Sequence, residues 1–237
     1  MIEMMGTIQA TPVSAEIVLE TRNDVFDAIL GLDGDLLHHD LVAYHDRFGS
    51  DSLVADVLIP VLRNVGDMWE QGQLGVLHEH HASGIIRSVI GTIRRPAFST
   101  SAAGNVVVLA CPPRELHDLP NHLFSLMLLD RGLAPVVLGA NTPWKALTAA
   151  LHSTGAVSCV LSGVNPVLIH RYPLLSRLAS ITPIHLAGPL GDGVEVAGVH
   201  RLSDDWRAAA DDIAAVKVGV TAAALLTPVP AQPPTAG

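Results

Sequence analysis

The loop Cys111-Pro-Pro-Arg-Glu115-Leu-His117-Asp-Leu-Pro120 sets a carboxylate two residues ahead of an imidazole. In extended backbone, side chains two apart project to the same side, so Glu115 can accept a hydrogen bond from one ring nitrogen of His117. That bond selects the tautomer and raises the basicity of the other nitrogen, which suits metal ligation. The loop lacks the glycines and the Gly-Lys-Ser/Thr ending of a phosphate loop. An isolated E-x-H also fits an ordinary solvated histidine. A second constellation is Trp69, Gly72, Gly75, His78, Glu79, His80 and His81. The two glycines allow a reversal that returns Trp69 over Glu79 and His80, offering a stacking plane, a carboxylate and an imidazole to a flat heteroaromatic ring with sugar hydroxyls. A zinc site competes with this reading, although H-x-H-H on a helix spreads its rings around the axis. So does a plain bundle core with a solvated histidine face.

The elements that must position these groups fall into two halves. Up to about residue 97 the apolar residues recur at three- and four-residue steps. Ser14 to Leu32 and Gly34 to Phe48 read as helices. A third runs through Val54, Val57, Leu58, Val61, Leu62, Val65 and Met68, opened by Ser50 or Asp51 as a cap, with Pro60 expected to kink it or to cost it a hydrogen bond, and a fourth covers about Val76 to Ile93. Four such helices with short connections make a bundle. Residues 98–104 are small and polar and read as a linker. Beyond it, apolar runs at Val106–Ala110, Pro135–Leu138, Val157–Leu161, Ile184–Ala187 and Val199–Leu202 alternate with helical stretches near Asn121–Arg131 and Asp205–Val216. Thr142 and Pro143 mark a further helix start. This pattern predicts a parallel α/β sheet, with ligands outside the carboxyl ends of its strands. The expected organisation is an extension over 1–13, a four-helix bundle over 14–97, the linker, a Rossmann-like (flavodoxin-like) domain over 105–217, and a partly disordered tail over 218–237, Pro-rich from Thr227.

Composition narrows the classes. The chain has 237 residues, 49% of them hydrophobic, enough for a sizeable core. Its apolar runs stop short of the ~18 residues a membrane span needs. No basic cluster marks a secretory signal at the start. A net charge of -9 with 14 Lys+Arg argues against a nucleic-acid surface. Cys111 and Cys159 form no disulfide framework and fit a reducing cytoplasm. Histidine stands out, with 12 in all.

Together, Trp69 followed after nine intervening residues by Glu79-His80, and the E-x-H of the α/β half, resemble the cobalamin-binding photoreceptors, relatives of the light-responsive B12-dependent repressors. The resemblance runs from about Ser14 to Val216. It implies His117 as the lower axial ligand of cobalt, replacing the cofactor's own base, with Glu115 behind it. Ser162 and Val164 match the motif lining the nucleotide tail, and Ala187-Gly188 stand where the family often has Gly-Gly. Trp69, Glu79 and His80 would pack on the upper adenosyl group. Departures are Pro120 in place of a glycine, Ala187 in place of another, and Glu70 where the studied repressors carry a histidine. That last change leaves water, His78, His80 or His81 as the upper ligand after illumination. The resemblance implies an adenosylcobalamin light sensor, not an enzyme, that signals through light-dependent self-association or a regulatory partner. The 13 residues before Ser14 are too few for a helix-turn-helix, so direct DNA binding is not expected. One subfamily also binds biliverdin, for which His38, His39 and His45 are candidates beside the alternative of a solvated helix face. A corrinoid methyl carrier and a non-photic B12-dependent antirepressor are the competing readings.

Overall fold

The computed structural model describes residues 13–97, 105–165 and 172–226, so the expected linker and the Pro-rich end lie outside the described residues. Helix α1 (Ala15–Leu30) starts at Ser14, whose hydroxyl accepts from the Ile17 N–H, and α2 (Gly34–Ser52) starts at Asp33, which accepts from Leu36 N. Val25, Ala28 and Ile29 of α1 meet Leu37, Leu41 and Tyr44 of α2, all buried, at the three- and four-residue steps of one helix face. α3 (Ile59–Glu70) and α4 (Val76–Ala97) complete the bundle with Val61, Val65, Ala82, Ile86 and Val89.

The expected third helix forms differently. α2 breaks at Gly49, with φ 79° and ψ 176°, and a π-helical stretch over Leu53–Leu58 then leads into α3. Ser50 and Asp51 do not cap it; they reach the α/β half instead. Pro60 falls in the first turn of α3, just past the wide turn in which Ile59 N donates to Val54 O. Leu58 and Ile59 are themselves right-handed helical, so the proline sits inside a continuous helix, and the Asp56 carbonyl that its missing N–H leaves without a helix donor accepts from Arg22 Nε instead.

The second half runs β1 (Val106–Ala110), α5 (Leu119–Asp130), β2 (Ala134–Gly139), α6 (Trp144–Thr154), β3 (Ser158–Ser162), α7 (Tyr172–Ala179), β4 (Ile184–Ala187), a 3-10 turn (Gly188–Gly191), β5 (Val199–Arg201) and α8 (Trp206–Leu226). α8 continues past Lys217, into residues the sequence reading assigns to the tail. The strands are all parallel in the order β2-β1-β3-β4-β5, the flavodoxin-like winding. One sheet face carries Val107, Leu109 and Val160 against α5 and α8 and is continuous with the bundle core; the other packs Val108, Cys159, Leu161 and Leu186 with Leu147, Leu151, Leu175 and Leu178. Thr142 does not cap α6. Its hydroxyl donates to Gly139 O, and the helix begins after Pro143, whose extended backbone starts the turn.

The halves are tied at the π-helical stretch. Arg131 grips both carboxylate oxygens of Asp51 at 2.8 and 3.0 Å and reaches Asp211 at 2.7 Å. Arg207 donates to Asp56 at 2.6 Å, Ser52 adds a hydroxyl at 2.9 Å, and the Ser50 N–H finds Asp130 across the interface at 3.2 Å. Burial opposes ionisation of Asp56, but the bonds from Arg207 and Ser52 prevail and hold its carboxyl below the ordinary value.

Two predictions follow from this framework. Gly49→Ala puts a side chain on a left-handed backbone and costs about 1–3 kcal/mol, whereas Gly66→Ala fills open space inside α3 and gains about 0.5–1 kcal/mol; urea denaturation reads both. Because Asp56 is more acidic folded than unfolded, its contribution is present above the unfolded value and is lost as pH falls through the lowered folded one. Asp56→Asn therefore flattens the acid limb of stability against pH, with its main loss appearing near neutrality.

Candidate functional site

β1 and β3 are neighbours whose connections leave in opposite directions, and this switch point is where an open parallel sheet forms its crevice. The E-x-H loop follows β1. Its path is bent by Arg114, at φ 74°, and held from the β2–α6 loop: Asn141 Oδ1 accepts from Arg114 N at 2.8 Å, and Asn141 N donates to Glu115 O at 2.7 Å. Glu115 is turned inward, only 2% exposed. Its Oε1 accepts from the His117 ring Nδ1 at 2.6 Å and from His117 N at 3.0 Å, while Oε2 accepts from Val164 N at 2.8 Å. Burial pushes this carboxyl up, but the bonds from His117 N, the His117 ring and Val164 N outweigh it and hold it below the ordinary carboxylate value.

His117 is consequently an imidazole with one nitrogen committed and the other free. Its side chain is 66% exposed, with Nδ1–H spent on Glu115 and Nε2 open. Beneath it the Cys111 thiol donates to His117 O, accepts from Asn121 Nδ2 at 3.4 Å and approaches Ser162 Oγ at 3.6 Å. Burial pushes that thiol up to about 11, so it stays protonated and able to donate. Ser162 and Val164 thus belong to the same assembly as His117. Ala187 pairs with Ser162 in register, and a Cβ added at Gly188, at φ 70°, would lie 3.2 Å from Gly163 O. Gly163 escaped the sequence reading, though it is the most tightly constrained position: a Cβ there would lie 2.7 Å from Glu115 Oε2. Cys111, Asn121 and Asn141 escaped as well, because their roles depend on loops far apart in sequence. Pro120, the unexpected proline, falls in the first turn of α5, where no helix hydrogen bond is lost.

The bundle approaches from the other side. Arg94 of α4 donates to Pro135 O at 3.2 Å, and Arg87, seven residues earlier on the same helix face, donates to Asp118 Oδ1 at 2.6 Å. Continuing along that face toward the start of α4 brings Ser83, His80 and Val76. Glu79 Oε2 accepts from His80 Nδ1 at 2.5 Å, and Ser83 donates to Oε1 at 2.9 Å. Trp69 ends α3 before the reversal at Gly72 (φ 70°), and is 47% exposed; Val76 and Leu77 after it are also exposed, as are Leu116 and Val164 on the loops. His78 and His81 are turned away: His81 packs on Gly34 of α2, and His78 Nδ1 and His81 Nε2 are buried without partners. His38, His39 and His45 do not converge, since His38 meets Thr92 and His45 meets Asp46 and Ser50 while His39 is exposed.

Among the described residues no three His, Cys, Asp or Glu side chains form a metal cluster. A single open imidazole nitrogen flanked by apolar side chains instead fits a metal whose remaining ligands come with a flat macrocycle, as in a corrinoid. Gly163→Ala drives a methyl into Glu115 and lowers stability by about 1–3 kcal/mol; in a Glu115→Ala background, where that atom is gone, the same change costs less. Urea denaturation of the four proteins reads this coupling. No helix among the described residues is long and apolar enough to cross a membrane.

Comparison with known proteins agrees. Residues 21–94 match the family described as B12 binding domain. The HTH-type transcriptional repressors CarH and CarA of Myxococcus xanthus are 32% and 33% identical over 97 and 111 residues, covering 40% and 47% of this chain. The chain spans about a third of the length of these relatives, 31% and 33%. The monomethylamine corrinoid protein of Methanosarcina barkeri has the same fold at 15% identity, with a TM-score of 0.66 over 85% of this chain and 99% of that one. The chain therefore has a helical segment that matches the B12 binding domain family and a Rossmann-like parallel sheet with the fold of that corrinoid protein.

Proposed function

We propose that the protein is a light sensor built on adenosylcobalamin and acting in a regulatory pathway. The observation carrying this is the imidazole of His117, its Nδ1 locked by the buried Glu115 and its Nε2 open, next in the chain to the Asp118 that binds Arg87 of α4. Bound there, adenosylcobalamin would supply a cobalt–carbon bond that green light breaks. His117 would hold the lower side of cobalt and Glu115 would orient it. Trp69, Glu79 and His80 would cover the upper side and exclude water, while Ser162, Val164, Ala187 and Gly188 would border the nucleotide tail. The homology to repressors supports a regulatory output, passed on by self-association or a protein partner, rather than catalysis. The half-exposed Trp69 favours this over a methyl carrier, whose upper face must stay open to a second protein.

Reconstitution in the dark, with absorption spectra and size-exclusion profiles before and after green light, tests the proposal. A light-induced spectral change with altered assembly or partner binding is expected; no change under light, or methylcobalamin bound equally well without response, sinks it. His117→Ala should move the bound cofactor to a water-ligated base-off spectrum. Biliverdin would add a red-absorbing band only if this chain takes a second pigment, a role for which His38, His39 and His45 offer no shared site.

A further inference from the structure

Asp118 follows the proposed cobalt ligand directly and is nearly enclosed, its side chain 14% exposed. Its Oδ1 takes the Arg87 guanidinium of α4 at 2.6 Å, and its Oδ2 faces His122 Nε2 at 3.5 Å and Gly139 at the end of β2. Its backbone carbonyl accepts from Asn121 N and His122 N, so the residue also anchors the first turn of α5. Asp118 is therefore fixed to the sheet, and Arg87 is the group of α4 that meets it. Seven residues earlier, nearly two full turns, His80 lies on the same helix face, and Val76 follows after another turn. Where that face lies relative to the ligand loop depends on where Arg87 is held.

We infer that Arg87 is a positioning residue: its ion pair with Asp118 sets the height and rotation of α4 over the ligand loop, and so governs recognition of the upper ligand without touching it. This inference rests on the cobalamin reading above. It requires the pair to matter for a cobalamin with a large upper group and to be nearly irrelevant for one carrying only water, since His117 holds both in the same way.

Titration of the full chain in the dark with adenosylcobalamin and with aquocobalamin separates these roles. Arg87→Gln should weaken adenosylcobalamin about five- to tenfold, tenfold corresponding to about 1.4 kcal/mol, and leave aquocobalamin within about twofold. The spectrum should retain its histidine-ligated form, showing an intact loop. Arg87→Lys keeps the cation within reach of Asp118 and should restore most of the adenosylcobalamin affinity. Equal weakening of both cobalamins, unchanged adenosylcobalamin affinity in Arg87→Gln, or no rescue by lysine overturns the inference alone. Failure of the unaltered protein to bind either cobalamin overturns the cobalamin reading and this inference with it.

Discussion

One buried carboxylate organises the α/β half around the site. Glu115 spends both oxygens on protein donors drawn from two loops: the His117 ring and backbone on one side, Val164 N on the other. Desolvation of a carboxylate is expensive, and only such full hydrogen bonding keeps it ionised inside a protein. The same bonds that satisfy the charge fix the histidine tautomer and join the carboxyl ends of β1 and β3. The absence of a side chain at Gly163 is the steric counterpart of this arrangement.

The second constraint is the fixed placement of the bundle on the sheet. Arginines supply it at two ends: Arg131 and Arg207 bind the π-helical region through Asp51 and Asp56, and Arg87 binds the ligand loop through Asp118. A shared apolar core fills the space between. Arg131 binds Asp51 as a planar fork with one bond to each carboxylate oxygen, which fixes orientation, whereas Arg87 and Arg207 each hold their carboxylate through one bond, where the position of the cation is what counts.

Much of this was legible in the chain. The five strands and the alternation of helices follow from apolar runs and periodicity, and the Glu115–His117 pairing follows from their spacing. What was not legible depends on contacts between distant segments. The roles of Ser50 and Asp51 changed because Asp130 and Arg131, far along the chain, compete for them. Thr142 looked like a cap, but the carbonyl of Gly139 lay closer to its hydroxyl. His78 and His81 looked like companions of His80, yet a helix turns successive residues by about 100°, and tertiary packing against α2 absorbed His81.

The π-helical stretch between α2 and α3 bears on the phase of every residue after it. A π turn closes on i→i+5 bonds and so takes up one residue more than an α turn. In an unbroken α-helix one extra residue would rotate every side chain downstream by about 100° around the axis; the wide turn absorbs it. The facing of Trp69 thus depends on winding several turns away: the same residues of Leu53–Leu58 rewound as a regular α-helix would aim the indole elsewhere. A substitution that relaxed this stretch to α winding would retune what the bundle covers, with no change at the site itself.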